Sequence, residues 1–120
     1  MEVERIDLAF DEAAAAAVVA RWVRGPRPSA AFTYNDEYGM LLQRAVLDAG
    51  LGVPGDLALV GADDLPLCNL LRPRLTSVHV EALSLAHTVA ETLHAMVQGN
   101  RTDVRSLRLT QSRIVERESA

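Results

Sequence analysis

The sequence contains no lysine, and its basic residues, all arginines, are scattered along the chain. With a formal net charge of −4, the chain lacks the clustered basic surface that nucleic-acid binding requires. The single cysteine, Cys68, excludes an internal disulfide and favours a reducing compartment. The longest apolar run, Ala13–Ala20, is too short to span a bilayer, and the acidic residues before it oppose a secretory signal. We therefore expect a cytoplasmic protein without a membrane partner.

Signals for catalysis and for metal binding are also missing. There is no GxSxG motif, and no serine or cysteine is spaced to pair with a base. His87 and His94 are seven positions apart, so about 10 Å would separate them along a helix, and Cys68 has no partner at ligand spacing. We expect no catalytic residue, no metal and no cofactor, and hence not an enzyme.

The 120 residues and the 49% hydrophobic fraction allow one domain with one core. Strands are predicted at Val3–Phe10 (a weakly alternating stretch that would form an edge), Ala30–Tyr34, Leu57–Gly61 and Leu75–Val80. Helices are predicted from the N-cap Asp11 to Arg24, at Glu37–Ala49, at Leu65–Leu71 and at Glu81–Gln98. The tail predicts one or two further strands that contain Val104, Leu107, Leu109, Ile114 and Val115.

Two of the apolar strands each stop at a polar pair, Asn35-Asp36 and Asp63-Asp64, with one helix pattern between them. This is a β-α-β unit, and the carboxyl ends of its parallel strands form the crevice where open α/β sheets bind ligands. One member of each pair can cap the following helix, which leaves the other available. Amide and carboxylate groups at such a place suit polyols, because they can engage neighbouring hydroxyls as donor and acceptor.

The stretch Gly50–Gly55 matches GxGxxG but follows a helix and precedes a strand, the reverse of what a dinucleotide site needs. A residue that ends the preceding helix is the better interpretation of Gly50.

The helix Glu37–Ala49 carries apolar residues on two faces when it is wound at about 3.6 residues per turn. One stripe, which the sheet should bury, contains Tyr38, Leu41, Leu42, Ala45 and Ala49. Met40 and Leu47 point nearly the opposite way, with Gln43 and Arg44 beside them. An apolar face left in water usually marks a contact. We expect a homodimer through this face, extended by leucines after the next strand at positions Leu67, Leu70 and Leu71.

The order of the motifs resembles the LacI/GalR family of lactose-repressor-type transcriptional regulators along essentially the whole chain. Family members have an apolar strand into Asn-Asp, a helix ending in Ala-Gly, then Val-Pro-x-Asp, Gly-aromatic-Asp-Asp, Arg-Pro-x-Leu-Thr-Thr/Ser-Val and a Val-x-Arg-x-Ser close. This chain has Tyr34-Asn35-Asp36, Ala49-Gly50, Val53-Pro54-Gly55-Asp56, Gly61-Ala62-Asp63-Asp64, Arg72-Pro73-Arg74-Leu75-Thr76-Ser77-Val78 and Val115-Glu116-Arg117-Glu118-Ser119.

The resemblance implies an α/β fold, an open parallel-sheet three-layer sandwich like that of periplasmic sugar-binding proteins. Residues 1–120 would be the C-terminal portion of an effector-binding domain, incomplete because the N-terminal part is absent. Effector hydroxyls would contact Asn35 and Asp63, with Phe10 as a stacking aromatic. DNA would be bound only through an N-terminal domain that this chain does not contain.

The resemblance further implies that dimer contacts fall on the Glu37–Ala49 helix and the segment after the next strand, which gives Met40, Arg44, Leu47, Leu67 and Leu71 as interface candidates. Two departures leave the identity of the effector open. Ala62 replaces the aromatic residue before the aspartate pair, and Tyr38-Gly39 replaces the usual Met-Ala.

Alternative functions stay open. A stand-alone sugar-binding protein of the same fold is the main one, although no secretory signal supports it. A phosphoacceptor receiver domain has a similar length, but it needs an early acidic pair and a late lysine, and this chain has no lysine. An enzyme of unknown type has a similarly low level of support to the receiver domain.

Overall fold

A computed structural model of the chain describes residues 2–99 and 112–120. Its helices are α1 (Glu12–Arg24), α2 (Asp36–Asp48) and α3 (Ala82–Val97), with a short 3-10 helix at Pro66–Asn69. Its strands are β1 (Ala30–Phe32), β2 (Ala58–Ala62), β3 (Thr76–Val80) and β4 (Ser112–Val115). None of the described helices is long and apolar enough to cross a membrane.

The four strands form one sheet in the order β1-β2-β3-β4. β1, β2 and β3 run parallel, as the β-α-β pattern predicts, and β4 pairs antiparallel with β3. The predicted open α/β sheet is therefore confirmed, and its last strand makes it mixed rather than parallel throughout. Val104, Leu107 and Leu109, which were predicted to lie in a tail strand, fall outside the described residues.

The strand predicted at Val3–Phe10 is wrong. These residues have no regular secondary structure, and the described sheet begins with β1. A strand forms only where a neighbour satisfies its backbone groups, and no described strand pairs with this stretch. Its two half-buried apolar side chains, Ile6 and Leu8, instead pack against the core.

The ends of the first two helices follow local rules that the sequence already contains. The Asp11 carboxylate accepts a hydrogen bond from the Ala14 amide at 2.9 Å and caps α1. Asn35 caps α2 in the same way. At the other end of α2, Gly50 has φ 78°, and its amide bonds to the Leu47 carbonyl at 3.0 Å. This left-handed glycine ends the helix, which confirms the interpretation of the GxGxxG match.

The core lies between the helices α1 and α2 and one face of the sheet. Helix α1 packs against α2, and α2 packs against β2. The buried cluster contains Val18, Val19, Trp22, Leu42, Val46, Leu57, Leu59, Cys68 and Leu75. Among the described side chains, none from α3 belongs to this cluster, and Val89, Leu93, Met96 and Val97 of α3 are exposed.

The buried face of α2 differs from the predicted stripe. It consists of Asp36, Gly39, Leu42, Gln43 and Val46. Of the predicted stripe only Leu42 is buried, and Ala49 is exposed. The face is turned by about one residue, or roughly 100°, because the Gln43 amide nitrogen donates to the Pro73 carbonyl at 2.7 Å. That long-range bond draws a polar side chain into the interior.

Asp36, at the start of α2, is wholly buried and joins three segments of the chain. Its Oδ1 accepts from the Ser77 hydroxyl at 2.6 Å, and its Oδ2 accepts from the Leu65 amide at 2.7 Å. Burial and then a hydrogen bond to Asp36 raise the pKa of the Cys68 thiol to about 12. Cys68 therefore stays protonated. The two hydrogen bonds of Asp36 tie α2 to β3 and to the segment after β2.

Gly61 in β2 lies directly against Asp36. A Cβ atom at position 61 would be 3.2 Å from the Asp36 Cα and would collide with Oδ1 of its carboxylate. Glycine is required here by close approach rather than by its own backbone conformation, since Gly61 is not among the glycines with positive φ.

We predict that Gly61→Ala lowers the free energy of unfolding by about 1–3 kcal/mol, because the added methyl group overpacks a buried carboxylate that cannot retreat. Urea denaturation followed by circular dichroism measures the change. Gly55→Ala is the matched control, since nothing lies within 4 Å of a Cβ at that position. Equal stabilities for the two variants would contradict the prediction.

Candidate functional site

The polar pairs predicted to meet at one edge of the sheet follow two neighbouring parallel strands. β1 and β2 are in register from Ala30 opposite Ala58 to Phe32 opposite Val60. The ladder extends one step further, because the Thr33 amide donates to the Val60 carbonyl at 2.9 Å. Asn35 lies three residues beyond the end of β1, and Asp63 lies one residue beyond the end of β2. Carboxyl ends of adjacent parallel strands are where open sheets bind ligands.

Asn35 is half-buried, and the fold uses one of its two polar atoms. Its Oδ1 accepts from the Tyr38 amide at 3.0 Å and caps α2. Within residues 2–99 and 112–120, the Asn35 amide nitrogen has no hydrogen-bond partner. This side chain therefore keeps two N–H donors for another molecule.

Asp63 and Asp64 form a turn in which both residues have positive φ, 99° and 55°. Such backbone conformations cost on the order of 1–3 kcal/mol each for a non-glycine residue and persist only where the surroundings enforce them. The Asp63 amide donates to the Val78 carbonyl at 2.9 Å, and the Asp64 amide donates to the Ser77 hydroxyl at 3.0 Å. No described group hydrogen-bonds the exposed Asp63 carboxylate.

The expectation that one of these two carboxylates caps the following helix is wrong. Leu65 precedes the 3-10 helix, and no side chain caps it. The Asp64 carboxylate points inward, where it accepts from Nη2 of Arg117 at 2.6 Å and lies 3.1 Å from Nδ1 of His79. Burial opposes ionisation of Asp64, but the hydrogen bond and charge of Arg117, followed by those of His79, outweigh it and lower the pKa of this carboxyl.

Three aromatic side chains stand beside Asn35. The rings of Phe10 and Tyr38 are 5.1 Å apart, and those of Tyr34 and Tyr38 are 6.3 Å apart, both edge to face. Phe10 is 59% exposed and Tyr34 is 86% exposed. The sequence indicated Phe10 but not the two tyrosines. The available signal was that both tyrosines lie within three positions of Asn35 in the sequence.

Chemically, this edge of the sheet offers an amide donor, a carboxylate acceptor and exposed aromatic faces. Pockets for small molecules combine apolar and aromatic walls with a few such polar groups. In the part of the chain that the structure describes, no three His, Cys, Asp or Glu residues are grouped to hold a metal ion. The groups at this edge can hydrogen-bond and stack against a small molecule.

The predicted interface residues divide into two groups. Leu47 and Leu67 are 38% and 53% exposed, and Arg44 forms an exposed ion pair with Asp48 at 2.7 Å. Met40 and Leu71 are half-buried and pack against the core.

The lowered pKa of Asp64 predicts a pH-dependent loss of stability. The contribution of its ion pair is present above the pKa of an unfolded aspartate, about 3.9, and is lost as pH falls through the lower folded pKa. We expect Asp64→Asn to lower the free energy of unfolding by about 1.5–3 kcal/mol near neutral pH. The difference from wild type should disappear below about pH 4. Urea titrations at several pH values measure both.

Asp48→Asn is the control, because its ion pair with Arg44 is exposed and should be worth only a few tenths of a kcal/mol. A cost of Asp64→Asn that stayed constant down to the lowest pH would refute the role of the charge.

A family model for the periplasmic binding protein-like domain matches residues 2–120. Among curated proteins, the chain is 28% identical over 93 residues to the NTD biosynthesis operon regulator NtdR of Bacillus subtilis, covering 78% of this chain and 28% of that one. Among solved structures, a transcriptional regulator of the LacI family from Sanguibacter keddieii superposes with a TM-score of 0.71 at 32% identity. That alignment covers 92% of this chain and 43% of the other.

A third similar protein is the transcriptional regulator CelR, solved as a complex with cellobiose, with a TM-score of 0.75 and 27% identity. The alignment covers 94% of this chain and 35% of CelR, so the chain spans well under half the length of each of these three relatives. The relatives are transcriptional regulators rather than enzymes. The chain belongs to the family of periplasmic binding protein-like domains, and its relatives within that family are regulators of the LacI/GalR type.

Proposed function

We propose that this chain is the effector-binding and dimerising part of a LacI-type transcriptional regulator and that it binds a sugar or a similar small polar molecule. One observation carries the proposal. At the carboxyl ends of the adjacent strands β1 and β2, the Asn35 amide nitrogen and the Asp63 carboxylate have no hydrogen-bond partner among the described residues.

The neighbouring acids support this assignment by contrast. Asp36 and Asp64 occupy the same two turns, and both point inward to donors from other segments. The fold thus uses one carboxylate of each turn and leaves the polar groups of Asn35 and Asp63 at the surface. Polar groups left unused at a strand-end crevice are what a small-molecule site requires.

The chemistry of these groups favours a polyhydroxylated ligand. Sugar hydroxyls can accept from the Asn35 amide nitrogen and donate to the Asp63 carboxylate. Phe10, Tyr34 and Tyr38 add aromatic faces beside Asn35, and the apolar C–H face of a sugar ring can pack on such a face. The relative CelR is solved with cellobiose, so this disaccharide is a sensible first probe.

DNA contact belongs to other parts of a complete regulator. The chain carries no lysine and has a net charge of −4, which does not favour DNA binding by these residues. The regulator would bind its operator through a separate DNA-binding domain, and an effector bound to the present residues would act on that domain at a distance.

We predict weak binding of cellobiose, glucose, galactose or ribose by the isolated chain, detected by NMR titration of the ¹⁵N-labelled protein. Shifts should concentrate at Asn35, Asp63 and the residues beside them. Asp63→Asn should weaken the affinity by roughly tenfold to a hundredfold, the value of a hydrogen bond to a charged group. Asparagine is chosen because it tolerates positive φ almost as well as aspartate, whereas alanine would add backbone strain.

The second substitution is Asn35→Asp, which keeps the oxygen that caps α2 but removes the amide donor. It should also lose affinity without losing stability. Asp48→Asn, on the exposed side of α2, is the matched control and should leave the affinity unchanged. Unchanged affinity in both site variants, or shifts confined to another part of the chain, would overturn the assignment.

The dimer is proposed on the face formed by Met40, Arg44, Leu47, Leu67 and Leu71. Leu47 and Leu67 present apolar surface to solvent, while Met40 and Leu71 support that surface from the core. A two-fold contact would place this patch against its own copy. Exposed apolar patches with polar rims are typical of such contacts, and the Arg44–Asp48 pair provides a polar rim.

We predict that the chain sediments as a dimer at micromolar concentrations and that Leu47→Glu/Leu67→Glu sediments as a monomer, since buried carboxylates without partners oppose association. These two positions are used rather than Met40 and Leu71 because a charge at a half-buried position would also unfold the protein. Val23→Glu, an equally exposed apolar position on α1, is the control and should remain dimeric. A wild-type monomer, or a double variant that still dimerises, would exclude this interface.

A further inference from the structure

Arg117 lies beyond β4, yet its side chain reaches the turn that carries Asp63. Its guanidinium donates to three acceptors: Asp64 Oδ1 at 2.6 Å, Asn69 Oδ1 at 2.9 Å and the Leu75 carbonyl at 2.8 Å. The side chain is only 9% exposed. A planar guanidinium can hold three acceptors in fixed directions, which a lysine ammonium on a flexible stem cannot do.

Arg117 holds the Asp64 carboxylate, and this contact sets the direction of the adjacent Asp63 side chain. Asp64 is 14% exposed and points inward, whereas Asp63 is exposed. Because both residues have positive φ, the turn has a defined shape that extended backbone would not give. Fixing the Asp64 carboxylate therefore fixes which way the Asp63 carboxylate leaves the turn.

The chain around Arg117 is anchored by bonds that do not involve this side chain. The Arg117 amide donates to the Thr76 hydroxyl at 2.9 Å. The Ser119 hydroxyl donates to the Leu59 carbonyl at 2.6 Å and accepts from the Thr76 amide at 2.8 Å. Removal of the guanidinium should thus leave the terminal segment in place and loosen only the Asp63–Asp64 turn.

We propose that Arg117 is a positioning residue of the effector site, which holds the Asp63–Asp64 turn through Asp64 so that Asp63 faces the ligand. This inference rests on the proposed function, because it assigns a supporting residue to the same site. It also couples the C-terminal segment of the chain to ligand binding, so that a change in that segment alters the affinity without touching the ligand.

Arg74 provides an internal comparison. It pairs with Glu118, the residue after Arg117, at 2.9 Å, and this ion pair is exposed. Arg74 contacts the same terminal segment but no residue of the turn. A substitution at Arg74 therefore reports the cost of loosening the segment without loosening the turn.

The test compares Arg117→Met, Arg117→Lys and Arg74→Met in the full 120-residue chain. Hydrogen exchange should be about tenfold faster at the Asp64 and Leu65 amides in Arg117→Met, because this turn opens locally, and unchanged at amides in the middle of α2. In Arg117→Lys, the exchange rates of these amides should lie between those of wild type and Arg117→Met. This variant also provides the test if Arg117→Met does not fold. Arg74→Met should leave the turn amides unchanged.

The affinity for the sugar probe, cellobiose, provides the second readout. We expect it to fall about fivefold or more in Arg117→Met and to stay unchanged in Arg74→Met. In an Asp64→Asn background, Arg117→Met should have no further effect on affinity, because the two residues act in series. A purely structural role of Arg117 would give additive losses instead.

Turn amides that exchange equally in Arg117→Met and Arg74→Met would overturn the proposal. A loosened turn with unchanged cellobiose affinity would overturn it as well. If the wild-type chain binds none of cellobiose, glucose, galactose and ribose, the proposed sugar site is wrong. The hydrogen-exchange rates of the turn amides then decide by themselves whether Arg117 holds the turn.

Discussion

The buried carboxylate of Asp36 is the constraint on which the rest of the structure depends. It is wholly buried, so its oxygens need hydrogen-bond donors from the protein. The donors are the Leu65 amide and the Ser77 hydroxyl. These contacts set the start of α2 relative to β2 and β3, and they leave room only for glycine at position 61. The positions of α2, β2 and β3 at the carboxyl edge of the sheet therefore depend on the contacts of this one side chain.

A second centre, around Arg117, completes the edge. It neutralises Asp64 and joins the terminal segment to β3 and to the 3-10 helix. The acids of the two strand-end turns thereby take different roles. Asp36 and Asp64 face inward to their donors, while Asp63 is exposed at the end of β2. The proposed ligand site would benefit from this division, because a rigid support limits the entropy that ligand binding would otherwise cost.

Much of the fold could be predicted from the sequence, and the errors have identifiable causes. Asp11 and Gly50 were assigned correctly because capping depends on residues three or four positions away. The cap of α2 was left open between Asn35 and Asp36, and the structure assigns it to Asn35. Val3–Phe10 was assigned wrongly because its weak alternation contains no information about a pairing partner. The buried face of α2 was misplaced because the bond from Gln43 to Pro73 spans 30 positions. The two tyrosines beside Asn35 were not indicated as site residues, since the contact between Tyr38 and Phe10 arises only in the folded chain.

The sequence by itself determined the order of helices and strands from α1 onward, the cap of α1, the end of α2 at Gly50, and the strand-end positions of Asn35 and Asp63, since each follows from interactions between near neighbours. Its motifs also indicated the family. Only the tertiary structure decided which acids are available. Asp64 meets Arg117 across 53 positions and Asp36 meets Ser77 across 41, and such pairs depend on how strands are stacked in space. Asp63 and Asp64 are adjacent in sequence and have the same chemistry. Only their directions in the folded turn bring Asp64 to Arg117 and leave Asp63 exposed.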